Sequence, residues 1–354
     1  MRTASIRLLV FAILVTCTAC GTKSPYPITD SGLVFGGGNL GGHDPIYWVD
    51  NERVVFPGYE IEKEPGADGH VTYSQPGIYI WDTVSGKYTR HASLQAPRWT
   101  LCFNDGFILY SIDGDERGNP RTLMAGPLGR EVRLRSDVFW GKHPEIQQCL
   151  PYPREHVSES YLHGFELRPG DGDLVVTPKV GFQDPFETRN WNNNVFIVKP
   201  GAARPIELPI LRKEMFFSSK PTYSAYLNKY VVVANTWRSR EPRGSGAWPA
   251  SEPFPVYLIG ADGSVDTVKV PFGTWYPMGA YPTKAGLVWI SNEAPRANSF
   301  DAGGWLLKVG KPVKLFDHLV NGVGASPDGC KLAFANNPHR PGTYVTVQVI
   351  KFCS

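Results

Sequence analysis

Residues Ala325-Ser326-Pro327-Asp328-Gly329-Cys330-Lys331-Leu332-Ala333-Phe334 form a turn signal followed by a short apolar run. Pro327 fixes φ for the turn, the Asp328 side chain can bond nearby backbone, and Gly329 can adopt a positive φ. The apolar run that follows has the composition of a β-strand. The stretch therefore predicts one corner of a β-hairpin, and the rest of the chain repeats it.

Five looser copies of this turn-and-strand pattern precede it. They are residues 50–56, 104–110, 169–176, 227–233 and 283–290. Equivalent positions in the six strands are Val55, Leu109, Val175, Val232, Trp289 and Ala333, with spacings of 54, 66, 57, 57 and 44 residues. A period of about 50 residues with about four strands each is typical of propeller blades. The sequence thus predicts an all-β, six-bladed β-propeller, and the 66-residue spacing leaves seven blades as the alternative.

The last period lacks its outermost strand. Only residues 344–352 are available after the sixth copy, whereas Leu33-Val34-Phe35 lies before the first. An unpaired strand edge is a site of aggregation, so proteins cover it. We therefore expect the N-terminal strand to pair with the last blade and close the ring, within a propeller domain that spans residues 31–354.

The turn at Ser326-Pro327-Asp328-Gly329 and the strand at Lys331-Leu332-Ala333-Phe334 resemble the repeat of TolB-type, or WD40-like, β-propellers of bacteria. The sixth copy alone matches that repeat well, and Trp81-Asp82 is a faint echo of the WD dipeptide. The resemblance covers residues 31–354 as architecture. It implies no activity, because one fold hosts many functions.

The N-terminus has the parts of a secretory signal. Arg2 and Arg7 accompany an apolar run at residues 8–15, and small residues follow at 16–21. This order is typical of a signal peptide. The apolar run is too short for a permanent membrane helix, which needs about 20 residues. Residues 1–19 are therefore predicted to be a signal peptide.

Cys20 and the residues before it resemble a bacterial lipobox, in which the cysteine thiol is acylated and becomes the new N-terminus. Thr18-Ala19 fit that pattern, whereas Cys17 stands where the family usually has leucine. Ordinary signal cleavage is therefore the alternative. Residues 20–30 are predicted to be the lipidated cysteine and a short polar tether.

The residue after the cysteine bears on the location of the protein. In the resemblance, Gly21 favours the outer over the inner membrane. This predicts a cell-envelope lipoprotein of the outer membrane that faces the periplasm and holds the membrane through its N-terminal lipid. A cell-surface location and a soluble periplasmic one are the alternatives.

Composition fits a secreted β-domain. The chain has 42% hydrophobic residues, 37 Gly and 31 Pro, and no long segment of helical period. Its formal net charge is +3, and loss of Arg2 and Arg7 with the signal leaves +1 (3 − 2). A net charge this small does not indicate nucleic-acid binding.

Four of the six cysteines lie in the predicted domain. They are Cys102, Cys149, Cys330 and Cys353. An even set in an oxidising compartment favours two disulfides over the alternative of four free buried thiols. Antiparallel pairing of the last two strands places Cys330 opposite Cys353, which leaves Cys102 to pair with Cys149. The Cys330–Cys353 bridge would add about 3 kcal/mol to the free energy of unfolding, if it acts by restricting the entropy of the unfolded chain.

Motifs of catalysis, metal binding and cofactor binding are missing from the sequence. It contains no Gly-x-Ser-x-Gly elbow, His-Glu-x-x-His, P-loop or Cys-x-x-Cys. The short-spaced carboxylates at 113–115 and 171–173 lack the glutamate that completes a calcium loop and are interpreted as turn residues. We therefore predict no catalytic residue, no metal and no cofactor.

The connections between the second and third strands of the blades are long and rich in aromatic, arginine and asparagine residues. They span residues 178–193, 236–253 and 293–302. Long loops without secondary structure are usually functional, and Trp and Arg dominate binding hot spots. The predicted binding face consists of Arg189, Trp191, Asn192, Asn193, Trp237, Arg238, Arg240, Trp248, Arg296 and Asn298.

Two functions fit this pattern. The favoured one is a non-catalytic binding protein whose loop face holds an envelope protein or a glycan. The alternative is a propeller enzyme that cleaves a glycan or a peptide with a carboxylate pair from different blades, such as Asp184 or Glu187 with Glu241 or Glu293. A pair of carboxylates about 5 to 10 Å apart would favour the enzyme.

Replacing Cys20 by Ser tests the anchor. The variant is expected to move from the membrane pellet to the soluble periplasmic fraction, because an acylated N-terminus is the sole anchor that the sequence offers. Cell fractionation and immunoblotting measure this. A Cys17→Ser variant, which keeps the acylated residue, is the control and should stay in the pellet. A Cys20→Ser chain that still pellets would contradict the lipoprotein prediction.

Overall fold

The computed structural model describes residues 24–36, 46–63, 72–95, 101–114, 120–134, 162–167, 174–178, 195–198, 206–208, 222–233, 254–260, 262–270, 277–291, 302–308, 312–317, 319–337 and 344–354. All regular elements among these residues are β-strands.

The strands, in chain order, are β1 (Ile28–Phe35), β2 (Tyr47–Trp48), β3 (Arg53–Tyr59), β4 (Ile61–Lys63), β5 (Thr72–Tyr73), β6 (Gly77–Asp82), β7 (Tyr88–Ser93), β8 (Leu101–Asn104), β9 (Phe107–Gly114), β10 (Pro120–Pro127), β11 (Val132–Leu134), β12 (Leu162–Leu167), β13 (Leu174–Pro178), β14 (Val195–Val198), β15 (Ile206–Leu208), β16 (Thr222–Ser224), β17 (Lys229–Val233), β18 (Phe254–Ile259), β19 (Val265–Val270), β20 (Pro277–Thr283), β21 (Gly286–Ser291), β22 (Gly303–Leu307), β23 (Val313–Asp317), β24 (Leu319–Ala325), β25 (Lys331–Asn337) and β26 (Thr346–Lys351).

Most strands form antiparallel groups of four that follow the chain. Sheet 2 contains β8 to β11, sheet 3 contains β12 to β15, sheet 4 contains β16 to β19 and sheet 5 contains β20 to β23. Sheet 1 contains β2, β3, β6 and β7, and sheet 6 contains β24 to β26 with β1. Each turn-and-strand copy in the sequence supplies the second strand of its sheet, namely β3, β9, β13, β17, β21 and β25.

The N-terminal strand joins sheets 6 and 1 into one eight-stranded sheet. β1 pairs antiparallel with β26, with Ile28 opposite Ile350. At its other end it pairs with β3, with Val34 opposite Tyr59. The predicted pairing of residues 33–35 with the last strand group is therefore present. The strand begins earlier than predicted, at Ile28, so the last residues of the predicted tether belong to the sheet.

Asp30 holds β1 on β26 through its side chain. Its carboxylate accepts hydrogen bonds from Thr346 Oγ1 at 2.7 Å and Gln348 Nε2 at 2.8 Å. It also accepts one from the backbone N–H of Gly32, whose φ of +70° marks an irregularity in the pairing. Gly58 lets β3 approach β1 closely, because a Cβ at this position would lie only 2.7 Å from the carbonyl oxygen of Val34.

Burial within the second strands β3 and β17 shows that both sides of sheets 1 and 4 are covered. Side chains alternate between the two sides of a strand, yet consecutive residues are buried in β3 at Val54 and Val55 and in β17 at Val231 and Val232. The outermost strands β7 and β19 are largely exposed instead.

Neighbouring sheets share buried apolar clusters. One cluster contains Trp81 of β6 and Ala333 of β25, and so joins sheets 1 and 6. Another contains Val55 of β3 and Phe103 of β8, which join sheets 1 and 2. Similar clusters join sheets 4 and 5 and sheets 5 and 6. The core is therefore distributed between the sheets, as expected for repeated units that pack on their neighbours.

The first strands of several sheets lie side by side. Contacts join β2 to β8, β12 to β16, β16 to β20, β20 to β24 and β24 to β2. The last of these contacts brings the first strand of sheet 6 to the first strand of sheet 1. From sheet 3 to sheet 6, and on to sheets 1 and 2, the sheets thus lie side by side in chain order.

The Ser-Pro-Asp-Gly turn is held by its own side chains. Ser326 Oγ donates to Asp328 Oδ1 at 2.6 Å and accepts from the N–H of Lys331 at 2.8 Å. Burial would raise the pKa of Asp328, but hydrogen bonds from Ser326 and the Cys330 N–H, together with Lys284 and Lys331 nearby, lower it below the usual 3.8. Gly329 has φ of +71°, as predicted for this turn.

The same turn links sheet 6 to its neighbours. Asn51 Oδ1, between β2 and β3, accepts the Asp328 N–H at 3.0 Å. The carbonyl oxygen of Gly329 accepts the N–H of Lys284, between β20 and β21, at 2.9 Å. The turns between first and second strands of sheets 5, 6 and 1 therefore meet on one side of the molecule, which we call the lower face.

The predicted disulfide between Cys330 and Cys353 is present, with Cα atoms 5.1 Å apart. It joins the start of β25 to the end of β26 at the lower face. Cys102 is also disulfide-bonded. Its predicted partner Cys149 lies outside the described residues, so the identity of that second pair stays a prediction.

Replacing Asp30 by Ala should lower the free energy of unfolding by about 1–2 kcal/mol. The change removes two hydrogen bonds between side chains of β1 and β26, each of which contributes about 1 kcal/mol. Urea denaturation measures the effect. Thr29→Ala, at an exposed position next to it, is the matched control and should stay within about 0.5 kcal/mol of wild type. Equal stability of both variants would contradict a fastening role for Asp30.

Candidate functional site

The residues of the predicted binding face lie outside the described residues. This holds for Arg189, Trp191, Asn192, Asn193, Trp237, Arg238, Arg240, Trp248, Arg296 and Asn298, and for Cys20 and Cys149. The carboxylates considered for catalysis at 184, 187, 241 and 293 lie outside them as well. These predictions stay predictions.

One connection between a second and a third strand is described in part. It leads from β3 to β6 in sheet 1, and its hairpin of β4 and β5 pairs Ile61 with Tyr73. It lies at the ends of the strands opposite the lower face, which we call the upper face. A group of tyrosines surrounds it. The tyrosine cluster at this face consists of Tyr59, Tyr73 and Tyr344.

Three rings of the cluster form a chain across the upper face. The Tyr59 and Tyr73 centroids lie 5.8 Å apart, and the Tyr73 and Tyr344 centroids lie 6.2 Å apart with ring planes at 87°. Edge-to-face rings at these distances attract each other. Tyr59 ends β3 and Tyr344 lies just before β26. The aromatic chain therefore crosses from sheet 1 to sheet 6.

Two further tyrosines, outside this cluster, pack together on sheet 1. Tyr79 of β6 and Tyr88 of β7 have centroids 5.8 Å apart with ring planes at 76°. Tyr79 is fully buried and packs in the cluster that joins sheets 1 and 6, whereas 41% of Tyr88 is exposed. Tyr88 begins β7 opposite Trp81, so its exposed ring lies on the outer strand towards the lower face.

Glu60, Ser74 and Arg90 add polar groups between the two sets of rings. The backbones of Glu60 and Ser74 are joined by a hydrogen bond of 2.9 Å, and Ser74 Oγ accepts the Glu60 N–H at 2.9 Å. The Arg90 guanidinium donates to the carbonyl oxygens of Gln75 at 2.6 Å and Pro76 at 3.0 Å. These bonds fix the hairpin and Arg90 against the strands.

Burial and neighbouring charge raise the pKa of three tyrosines. Burial raises the pKa of Tyr59, and Tyr73 adds to the effect. Burial likewise raises the pKa of Tyr79 and of Tyr88, with the Glu60 charge contributing to both. Their ordinary value is about 10. All three phenols are therefore protonated at neutral pH and can donate hydrogen bonds.

The arrangement presents an aromatic surface to solvent. Tyr73 is 44% exposed and stands between the rings of Tyr59 and Tyr344. Tyrosine combines a large apolar area with a hydroxyl group at low entropic cost, which is why it is frequent in binding surfaces. Glu60 is the carboxylate whose charge reaches the buried phenols. A ligand that pairs ring faces with hydroxyl or amide groups fits this site.

The sequence reasoning did not identify the tyrosine cluster. Loop length and composition predicted binding residues in the connections at 178–193, 236–253 and 293–302. The connection at residues 60–76 has a similar length but was not included in that prediction. The same criterion would have selected the segment around Tyr73. Tyr344 carries no local signal, because the folding of sheet 6 against sheet 1 is what brings it to Tyr73.

A polar contact between side chains joins sheets 1 and 2. His91 Nε2 of β7 lies 3.0 Å from Glu131 Oε1, and both side chains are at least 86% buried. Glu131 Oε1 also accepts the N–H of Gly129 at 2.6 Å. The His91 and Tyr110 rings meet edge to face, with centroids 6.1 Å apart. This contact is interpreted as part of the packing between sheets.

The described residues lack two kinds of feature. They contain no group of three or more His, Cys, Asp or Glu side chains arranged to hold a metal ion. No helix in that part of the chain is long and apolar enough to cross a membrane.

Comparison with known proteins gives fold likeness alone. No family model matches the chain, and no curated protein matches it. The solved structures that align with it include oligogalacturonate lyase from Vibrio parahaemolyticus, with a TM-score of 0.46 and 9% identity over 93% of this chain and 94% of that chain. They also include the Dos1 propeller, with a TM-score of 0.36 and 12% identity over 93% and 94%.

TolB from Acinetobacter baumannii aligns with a TM-score of 0.41 and 10% identity, covering 85% of this chain and 63% of TolB. The chain thus spans less than two thirds of the TolB chain. With TM-scores below 0.5, these likenesses carry no argument about function.

Raised tyrosine pKa values predict a loss of stability at alkaline pH. A group whose pKa is higher in the folded state contributes stability that is complete below its unfolded value and is lost as pH rises through the folded value. The melting temperature should therefore fall steeply above about pH 10. Tyr79→Phe should make that fall shallower, because one buried phenol no longer ionises.

Differential scanning calorimetry across this pH range measures the slope. Tyr226→Phe, at an exposed tyrosine between β16 and β17, is the matched control. An unchanged alkaline slope in the Tyr79→Phe variant would show that other groups govern alkaline unfolding.

Proposed function

We propose that the six strand groups form a six-bladed ring, with β1 as the outermost strand of the sixth blade. The contact between β24 and β2, and the pairing of β1 with β26 and β3, support this closure. Covered sheet edges also favour it, because an open ring would leave strand edges for aggregation.

We further propose that the protein is a non-catalytic binding protein of the bacterial envelope, anchored by lipid at Cys20. It binds an envelope protein or a glycan through its upper face. In this proposal it sits in the outer membrane and faces the periplasm. The lipobox-like sequence before Cys20 supports the anchor, and a cell-surface or soluble periplasmic location stays the alternative.

The tyrosine cluster is the observation that carries the binding role. Tyr73 lies in the connection between second and third strands of sheet 1, the type of connection in which the sequence predicts binding residues in other blades. Its exposed ring is supported on two sides by Tyr59 and Tyr344. Rings held in this way lose little entropy on binding, which favours affinity.

The propeller enzyme is the second candidate. It needs a carboxylate pair at the upper face, and the pairs named from the sequence lie outside the described residues. Glu60 is the carboxylate of the described tyrosine cluster, and its neighbours are phenols, a serine and an arginine. No observation on the described residues favours catalysis over binding.

The double change Tyr73→Ala and Tyr344→Ala should weaken partner binding by roughly tenfold or more, as expected when aromatic anchors are truncated. Chemical crosslinking and pulldown from membranes that carry the tagged full chain would identify the partner. Titration of the purified partner then gives the affinity of each variant.

The matched control is Val132→Ala with Val265→Ala, which removes two exposed apolar side chains from the outer strands β11 and β19. This variant should bind like wild type. Thermal melting shows whether either pair of changes disturbs the fold. Wild-type affinity in the tyrosine variant would remove the cluster from the binding site.

A further inference from the structure

We propose that the lower face of the molecule lies against the lipid surface and that the tyrosine cluster therefore faces away from the membrane. This orientation rests on the lipid anchor at Cys20 proposed above. It adds a second interaction surface, which meets a phospholipid bilayer rather than the protein or glycan partner.

The chain is fixed to the body immediately before β1. The Tyr26 ring packs edge to face on Phe352, with centroids 5.2 Å apart. Lys308 Nζ donates to the Tyr26 hydroxyl at 2.7 Å, and the carbonyl oxygen of Pro27 accepts the N–H of Lys351 at 3.1 Å. Ser24 Oγ accepts the N–H of Tyr26 at 3.2 Å. The body of the protein thus holds the chain from about Ser24 onward.

This attachment lies at the lower face. Lys351 ends β26 and Lys308 directly follows β22, so both stand where third strands end. Phe352 donates its N–H to the carbonyl oxygen of Cys330 at 2.8 Å, beside the Ser-Pro-Asp-Gly turn and the Cys330–Cys353 disulfide. The chain therefore enters the body at the lower face.

The opposite end of β1 marks the upper face. The Phe35 N–H donates to the carbonyl oxygen of Val345 at 2.7 Å, next to Tyr344 of the tyrosine cluster. Val34 pairs with Tyr59. An eight-residue strand such as β1 rises about 23 Å from one end to the other. The chain entry and the tyrosine cluster are thus separated by roughly the height of a sheet.

The covalent reach of the tether decides the orientation. Four Cα steps separate Cys20 from Ser24, and whatever their conformation they span at most about 14 Å. This is about three fifths of the height of β1. A lipid at Cys20 can therefore bring the lower face to the bilayer, but it cannot bring the upper face there.

The side chains around the chain entry suit a lipid surface. Lys308 and Lys351 are exposed beside it, and lysines near a bilayer are attracted to anionic headgroups. Val84, between β6 and β7, is 69% exposed, and Tyr226 is 39% exposed on the same face. Carboxylates such as Asp82 also occur there, so the length of the tether, and not net charge, carries the inference.

Lysine footprinting on vesicles tests the orientation. The full lipidated chain is placed in vesicles of phosphatidylethanolamine and phosphatidylglycerol, and acetylation rates of single lysines are read by mass spectrometry. The soluble Cys20→Ser variant provides the reference rates. Lys308 and Lys351 should react several-fold more slowly on vesicles. Lys269 is the internal control and should react equally in both, because it is exposed near the end of β19, at the upper face.

A second variant isolates the effect of the tether. Insertion of about 20 Gly and Ser residues between Thr22 and Lys23 gives a flexible reach of roughly 25 Å on average and far more when extended. This variant should still sediment with the vesicles, while the rates at Lys308 and Lys351 return towards the reference.

The outcomes separate this inference from the proposed function. A wild-type chain that fails to sediment with vesicles overturns the lipid anchor and the orientation with it. A chain that sediments while Lys308 and Lys351 keep their reference rates, or while Lys269 is the slowed residue, overturns the orientation alone. Partner binding through Tyr73 and Tyr344 is measured separately and is unaffected by either result.

Discussion

The pairing of β1 with two strands from opposite ends of the chain is the constraint on which the rest of the structure depends. Its backbone is bonded to β26 along most of its length and to β3 at its end. Because of this, Trp81 of sheet 1 and Ala333 of sheet 6 can share one buried cluster. The Asp30 side chain stabilises the pairing with β26 through hydrogen bonds. The absence of a Cβ at Gly58 allows β3 to approach β1 closely. Without it, each of the two sheets would expose an edge and one side of its core.

Much of the fold could be predicted because its signals are local. Turn residues such as Asn51, Asn228 and Gly329 precede runs of β-forming residues, and these runs are the second strands of the sheets. The first strands could not be identified in this way. β2 is only Tyr47–Trp48, and it is held by contacts far along the chain, such as the bond from Trp48 Nε1 to the Gly324 carbonyl at 2.7 Å.

The candidate site illustrates where local reasoning ends. The length of a connection is visible in a sequence, so the segment around Tyr73 was within reach of the same criterion that selected Trp191 and Trp237. The meeting of Tyr73 with Tyr344 was not, because these residues are separated by almost the whole domain and meet only once sheets 6 and 1 are joined. The burial that raises the pKa of Tyr79 is likewise a property of the packed sheets and not of its neighbours in the chain.

The direction in which the chain enters β1 has a mechanical consequence. A force that pulls on residue 24 away from the lower face acts along the axis of β1. It therefore shears all the hydrogen bonds between β1 and β26 at the same time and does not break them one after another. The Cys330–Cys353 disulfide ties the end of β26 to β25, so the partner strand cannot be peeled off from the C-terminus. The fold is therefore built to resist tension at the point where a membrane tether would apply it.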